Sequence, residues 1–442
     1  MKTINFFFAF LLLVACNKEN DLQTIKINKN PSSIEFINAY RKAGLAIQDT
    51  NFNGFLNAAK TIYDFAPSNP DIKMLYTSAL IKNGKEKEAL HELNELAQFP
   101  YPVIYNKLDQ DYRSDFKSLD DYESLVYRSK QYSNPVNNST VAYTLGEKGI
   151  IPEGVAFDEV LHTLYISSIY KRKIIAIDSS GIITDFIPSG FEKIQGVIGM
   201  EVDPERRHLW ACSGWTGMKK PDKPMDEYAG IYKFDLETGE LIKKYLLKDT
   251  VDRFINDVTI HSNGTAFITE SLKGKVYMIQ PQTDSLELFI DSDHYYFANG
   301  ITLSDNEKYL FVAHYSGIDR VDLSCLKIEQ LKTPENLTLS AIDGLAFYNN
   351  SLIAHQSGLG GVYRYHLNES MDSVITSSII ESQNPYFEIP TTGEIAGNDY
   401  FFIANAQLRR FNEQGVIFPD EKQDSVYILK SKLEHKKNLV FK

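Results

Sequence analysis

Apolar positions along the chain change their period once. From about residue 33 to 130 they recur at three- and four-residue intervals, the spacing of an amphipathic helix face. After residue 140 they gather into short runs separated by turn residues such as Asp178-Ser179-Ser180-Gly181 and Glu237-Thr238-Gly239, the pattern of strands. The helical stretch repeats itself: Phe55, Ala59 and Ile62 correspond to Ala89, Leu93 and Leu96, 34 residues further on, as Ile47 and Thr50 correspond to Ile81 and Gly84. Pro67 and Pro70 close the first pass, Pro100 and Pro102 the second. Between the two periods, residues 131–139 form a polar, proline-broken linker.

The β-rich part, 140–442, divides into six units that begin near Glu153, Gly199, Asn256, Asn299, Asp343 and Glu394. Each has a second apolar strand, at 164–166, 209–211, 266–268, 310–312, 352–354 and 401–403, and third strands follow at 173–177 and 230–234. Three or four strands per unit, recurring roughly every 40 to 50 residues over copies three to five, predict a six-bladed β-propeller. The fold class is therefore mainly β, with a small all-α domain in front. The strand at 140–143 is expected to join the last unit and close the ring, which removes an exposed sheet edge. The helical domain, 33–130, resembles a tetratricopeptide pair with its tight turn at Asn83-Gly84-Lys85, although the usual Trp is missing. The segment 112–125 is expected to supply a capping helix. Two repeats offer little concave surface, so packing on the neighbouring domain is the expected role, and capture of a protein partner the alternative.

The first residues read as an address. Lys2 precedes an apolar run from Phe6 to Ala15, too short to span a bilayer and typical of a signal peptide covering residues 1–15. It ends Leu13-Val14-Ala15-Cys16, which resembles a bacterial lipobox. That resemblance implies lipidation of Cys16, a flexible tether over 16–32, and a lipid-anchored place in the bacterial cell envelope. Cys212 and Cys325 then remain; no C-x-x-C redox or zinc site exists, and nothing supports a disulfide between them.

Composition narrows the partners. A net charge of −12 argues against a nucleic-acid backbone, which selects basic faces. No G-x-S-x-G elbow and no glycine-rich phosphate loop is present.

Chemistry enters through the unit starts. Pro152-Glu153-Gly154-Val155-Ala156-Phe157-Asp158, Asn256-Asp257-Val258, Asn299-Gly300-Ile301 and Asp343-Gly344-Leu345 each put an oxygen-bearing side chain just before an apolar strand. In a propeller the first strand of each blade lines the axis, so Glu153, Asn256, Asn299 and Asp343 converge. Two carboxylates and two amide oxygens suit a hard divalent cation, Ca²⁺, Mg²⁺ or Mn²⁺, rather than zinc. The second strands return towards the same end. The residues after them are expected on the pocket rim: Trp215, Glu270, His314, Tyr315, His355, Gln356, Asn405 and Gln407. His314 or His355 could shuttle a proton there.

These four motifs, in order and in register, resemble the regucalcin (senescence marker protein) and gluconolactonase family, with more distant similarity to paraoxonases and strictosidine synthase. The resemblance implies one divalent cation, most often Ca²⁺, held by Glu153, Asn256, Asn299 and Asp343, and hydrolysis of a small lactone or ester. It implies Asp343 as the base, with Asp257 as the second candidate. The family often has an Arg two residues before its Asn-Asp; here Arg253 lies three before Asn256, which changes the substrate-gripping position. The alternative function is a non-catalytic, metal-stabilised propeller that binds a ligand or partner.

Overall fold

The computed structural model describes residues 24–29, 31–214, 228–248, 253–412 and 416–433. The protein is mainly β, with a helical region ahead of six sheets.

Four helices carry the two sequence passes: α1 (Ser33–Gln48), α2 (Phe52–Phe65), α3 (Pro70–Lys82) and α4 (Glu86–Leu96). Each start has a local cause. Ser32 and Glu35 form a capping box on α1, Asn51 accepts from Gly54 N on α2, and Asn69 with Pro70 opens α3. The corresponding turn positions, Thr50 and Gly84, both adopt left-handed backbone, at φ 54° and 69°. The predicted face is the buried one: Phe55, Ala59 and Ile62 on α2, and Ala89, Leu93 and Leu96 on α4, are fully enclosed. The capping region holds a short helix, Tyr122–Ser129.

The six sheets have inner strands at Val155–Asp158, Gly196–Asp203, Ile255–Ile260, Ile301–Leu303, Leu345–Phe347 and Gly393–Ala396. All neighbours inside the sheets are antiparallel but one. Each inner strand packs against the next in chain order, and the sixth returns to the first. Thr140–Leu145 pairs with Val426–Lys432 as the outer strand of the sixth sheet, so the chain's two ends of this region meet in one sheet.

Two segments differ from expectation. Ile25–Ile27, inside the stretch expected as tether, adds a parallel fifth strand to the outer edge of the third sheet. The linker is also pinned: Val136 bridges Ser382, and Asn138 N and Ser139 N donate to the buried Glu381 carboxylate at 3.0 and 2.9 Å. In both cases backbone donors and acceptors find partners from distant sequence, which local composition does not reveal.

The helices share their cores with the sheets. Leu93, Leu96, Tyr101 and Leu125 belong to one apolar cluster with Phe311, Leu337, Leu339, Tyr363 and Tyr365. Phe36 of α1 packs on Tyr296 and Tyr315. Among the described residues no helix is long and apolar enough to cross a membrane. Cys212 is buried and Cys325 exposed, both free thiols. The signal segment and Cys16 lie outside the described residues.

Candidate functional site

The inner strands approach one another where side chains are smallest. A Cβ on Gly154 would lie 2.2 Å from Ile198 O, and one on Gly199 2.5 Å from both Asn256 O and Asp257 Oδ1. Gly300 N donates to Asp343 O and Gly344 N to Thr391 O, each at 2.8 Å, and the Thr391 hydroxyl donates to Glu153 O at 3.1 Å. Thr269 Oγ1 accepts from Asp257 N at 3.1 Å and donates to Asn299 O at 2.8 Å, so the contacts run in turn through six residues at one level around the axis: Glu153, Ile198, Asn256, Asn299, Asp343 and Thr391. Four are the motif residues. At the other two positions the structure has Ile198 rather than Gly199, and Thr391 rather than Glu394, because each unit enters its inner strand slightly earlier than the sequence pattern implies.

The four motif side chains are arranged as oxygen donors. Asn256 Nδ2 donates to Ser271 Oγ at 2.9 Å, and Asn299 Nδ2 to Asp343 Oδ1 at 2.7 Å. Each amide oxygen is thereby left without a described donor. Among the described residues nothing donates to the Glu153 carboxylate. Burial, then the charges of Asp343 and Asp257, push the Glu153 carboxyl well above its ordinary range. Burial raises Asp343 to about 7 against the Asn299 hydrogen bond. Asp257 also reaches about 7 through burial, although Val258 N and Ile301 N donate to it at 2.9 and 3.3 Å.

Among the described residues no three His, Cys, Asp or Glu side chains group closely enough to hold a metal by themselves. A cation here would need the two amides as well. The donor set fits one: it is all oxygen, two of its members are carboxylates that repel each other, and both amide NH₂ groups are engaged, that of Asn256 by Ser271 and that of Asn299 by Asp343 Oδ1, which leaves the amide oxygens and the second Asp343 oxygen available.

Beside Asn299 and Asp343 opens a pocket of about 280 Å³ lined by Tyr296, Phe297, Tyr315, Ala341, Ile342 and Ser357. Entry loops build it. Phe297 and Ala341, each two residues before a site residue, sit in left-handed backbone at φ 55° and 52°, and Ile151 does the same before Glu153 at 47°. Such strain persists only where surroundings impose it, and here it turns the chain into the axis.

The expected rim is mostly beneath the surface. Tyr315 lines the pocket. His314, however, is fully buried, bonded through Nδ1 to Ser316 Oγ at 3.0 Å with Asp319 Oδ1 3.4 Å from Nε2. His355 is equally buried against Tyr400 OH at 2.8 Å, and burial lowers its pKa to about 3. Neither is on a solvated rim. Asn299 N donates to Ala313 O and Asp343 N to His355 O, so the second strand pairs at the level of the axis residues and its side chains pack between sheets. Glu270 is buried too, accepting from Phe254 N, Leu272 N and Lys273 N, with Arg253 Nη1 at 3.8 Å. Arg253 and Glu270 thus secure the loop entering Asn256. Gln356 holds Thr338 O and Ser340 O. Asn405 and Gln407 hold the backbone at Ser425, Tyr427 and Asp424. Trp215 lies outside the described residues.

Pattern reading missed the pocket residues Tyr296, Phe297, Ala341 and Ile342. Counting back one to three positions from Asn299 and Asp343 would have found them. It also missed a second pair below the site. Glu394 is raised to about 8 by burial and the Asp257 and Glu159 charges, and Glu201 is raised well above its range by burial and by Glu394.

No protein-family model matches the chain, and no curated protein matches it in sequence. Similar solved structures include a gluconolactonase from Xanthomonas campestris, 15% identical, covering 67% of this chain and 96% of that one with a TM-score of 0.46. A luciferin-regenerating enzyme is 12% identical, covering 68% and 95% with a TM-score of 0.47. A virginiamycin B lyase from Staphylococcus aureus is 17% identical, covering 59% and 80% with a TM-score of 0.43.

Proposed function

We propose that the six sheets form a six-bladed β-propeller of the gluconolactonase-like kind, and that the protein is a divalent-metal-dependent hydrolase of small lactones or esters. One observation carries this reading: Glu153, Asn256, Asn299 and Asp343 stand at one level of the axis, with both amides oriented to leave their oxygens available. These four would hold the cation, Ca²⁺ best, with Mg²⁺ or Mn²⁺ as substitutes. When bound, the ion polarises the carbonyl and stabilises charge developing on its oxygen.

The chain's residues do the rest. Asp343 is the base of this reading: one oxygen is engaged by Asn299, and its carboxylate borders the pocket where a substrate would lie. Asp257 is less suited, since Val258 N and Ile301 N already occupy its oxygens. Tyr296, Phe297 and Tyr315 line the pocket with aromatic surface against which a substrate would pack. The helical region is proposed as a tetratricopeptide-like module packed on the propeller. Lipidation at Cys16 would hold the protein on the bacterial cell envelope, and release by Cys16→Ser, or no lipid on the wild type after fatty-acid labelling, decides that part.

Metal content and melting temperature test the site directly. Purified protein should carry a divalent ion, and chelation should lower its melting temperature; saturation at 100 times the dissociation constant corresponds to about 2.7 kcal/mol. Metal-free protein with an unchanged melting curve contradicts the proposal.

A further inference from the structure

The segment that delivers Asp343 to the axis is held from outside the sheets. Thr338 N donates to Tyr101 OH at 3.0 Å, and Tyr101 belongs to the helical region. The same hydroxyl lies 3.4 Å from Thr338 O and 3.1 Å from Tyr365 OH. Ser68, between α2 and α3, reaches Thr338 Oγ1 at 3.1 Å, and Thr338 Oγ1 in turn bonds Ser340 Oγ at 2.8 Å and accepts from Ser340 N at 3.1 Å. Thr338, Ser340 and Tyr101 are all buried. Three residues beyond Thr338, Ala341 is bent into left-handed backbone while its N–H donates to Tyr315 O at 3.0 Å; two residues later comes Asp343. Ala341 and Ile342 themselves line the pocket.

A second set of helical contacts backs Tyr296 and Tyr315, which line the same pocket. Phe36 of α1 lies 5.3 Å from the ring of Tyr296 and 5.4 Å from that of Tyr315, and the Tyr40 hydroxyl meets Tyr315. The pocket residues Ala341, Ile342, Tyr296 and Tyr315 therefore all sit on segments held by the helical region. A module that served only as a spacer would have no need of buried polar ties into this one segment, since each polar group taken from water must find its partner there.

We propose that the helical region is a working part of the site, with Tyr101 a positioning residue that sets Asp343 through residues 338–343. This rests on the reading of Asp343 as a cation ligand. Partners outside the ligand shell orient the ligands, and losing one commonly weakens metal binding by about 10- to 100-fold.

The test is calorimetric titration of Ca²⁺ into the chelator-stripped full chain, as wild type, Tyr101→Phe and Ile62→Val. Ile62 is buried in the helical cluster that includes Phe36 and meets Tyr296 and Tyr315, and as a hydrocarbon side chain it makes none of the polar ties to Thr338. Tyr101→Phe should bind Ca²⁺ about 10-fold more weakly. Ile62→Val should keep wild-type affinity while melting earlier. Unchanged affinity in Tyr101→Phe, or an equal loss in both variants, overturns the proposal. Wild type that binds no Ca²⁺ overturns the ligand reading instead, and this inference with it. Should Tyr101→Phe not fold, Ser68→Ala makes the same comparison: weaker binding supports the assignment and unchanged binding overturns it.

Discussion

Asn299 donates through Nδ2 to Asp343 Oδ1 at 2.7 Å, joining the fourth and fifth inner strands by their side chains as Gly300 N and Asp343 O join them by backbone. The bond fixes the amide so that its oxygen stays available, and it leaves the second Asp343 oxygen for other work.

Asp343→Asn should separate ligand from base. An oxygen remains for the cation, so Ca²⁺ affinity falls without vanishing, while turnover drops by about 100-fold or more. Asp257→Asn is the comparison, because its carboxylate is already engaged by Val258 N and Ile301 N. Steady-state kinetics on one substrate decides between them. Full activity in Asp343→Asn removes it as base, and lost turnover with intact Ca²⁺ affinity in Asp257→Asn assigns the role there.

Close approach of the inner strands gives a stability prediction. A methyl at Gly154 would meet Ile198 O at 2.2 Å, where backbone on both sides cannot yield. Gly154→Ala should destabilise by about 1–3 kcal/mol, the usual cost of overpacking. Gly358→Ala, with nothing within 4 Å of its added methyl, should change stability little. Denaturant unfolding of both measures the difference.

The raised carboxyls make metal-free stability depend on pH. Asp257 and Asp343 titrate near 7 and Glu394 near 8 in the fold, against ordinary values of 3.8 and 4.5. Through these groups the folded state binds more protons than the unfolded state, while the buried His294 and His355, lowered to about 4 and about 3, act the other way up to about pH 6.5, so stability falls as pH rises from about 6.5 to about 8. Melting temperatures in chelator should follow that slope, and saturating Ca²⁺ should flatten its upper part. A chelated protein that grows more stable from pH 6.5 to pH 8 contradicts the carboxylate environment described here.

Part of this site was legible because the unit starts repeat. In a propeller the residue opening each first strand faces the axis, which brought Glu153, Asn256, Asn299 and Asp343 together as candidates. Ile198 escaped because the register shifts between Val197 and Met200, so Gly199 looked like the unit start. His314 and His355 misled for a related reason. Their strands end in polar residues, yet His314 finds Ser316 and Asp319, and His355 finds Tyr400, between the sheets. Pairing partners distant in sequence, such as Ile25 with Ile290 or Tyr101 with Thr338, leave no local trace at all.

Turnover measured with and without the ion tests the central claim most directly. Chelator-stripped protein should fail to hydrolyse a panel of neutral lactones and esters, and adding Ca²⁺ should restore activity on at least one, with Mn²⁺ or Mg²⁺ less effective. Activity that persists unchanged after stripping, or Ca²⁺-loaded protein that turns over nothing in the panel, would contradict a metal-dependent lactone or ester hydrolase.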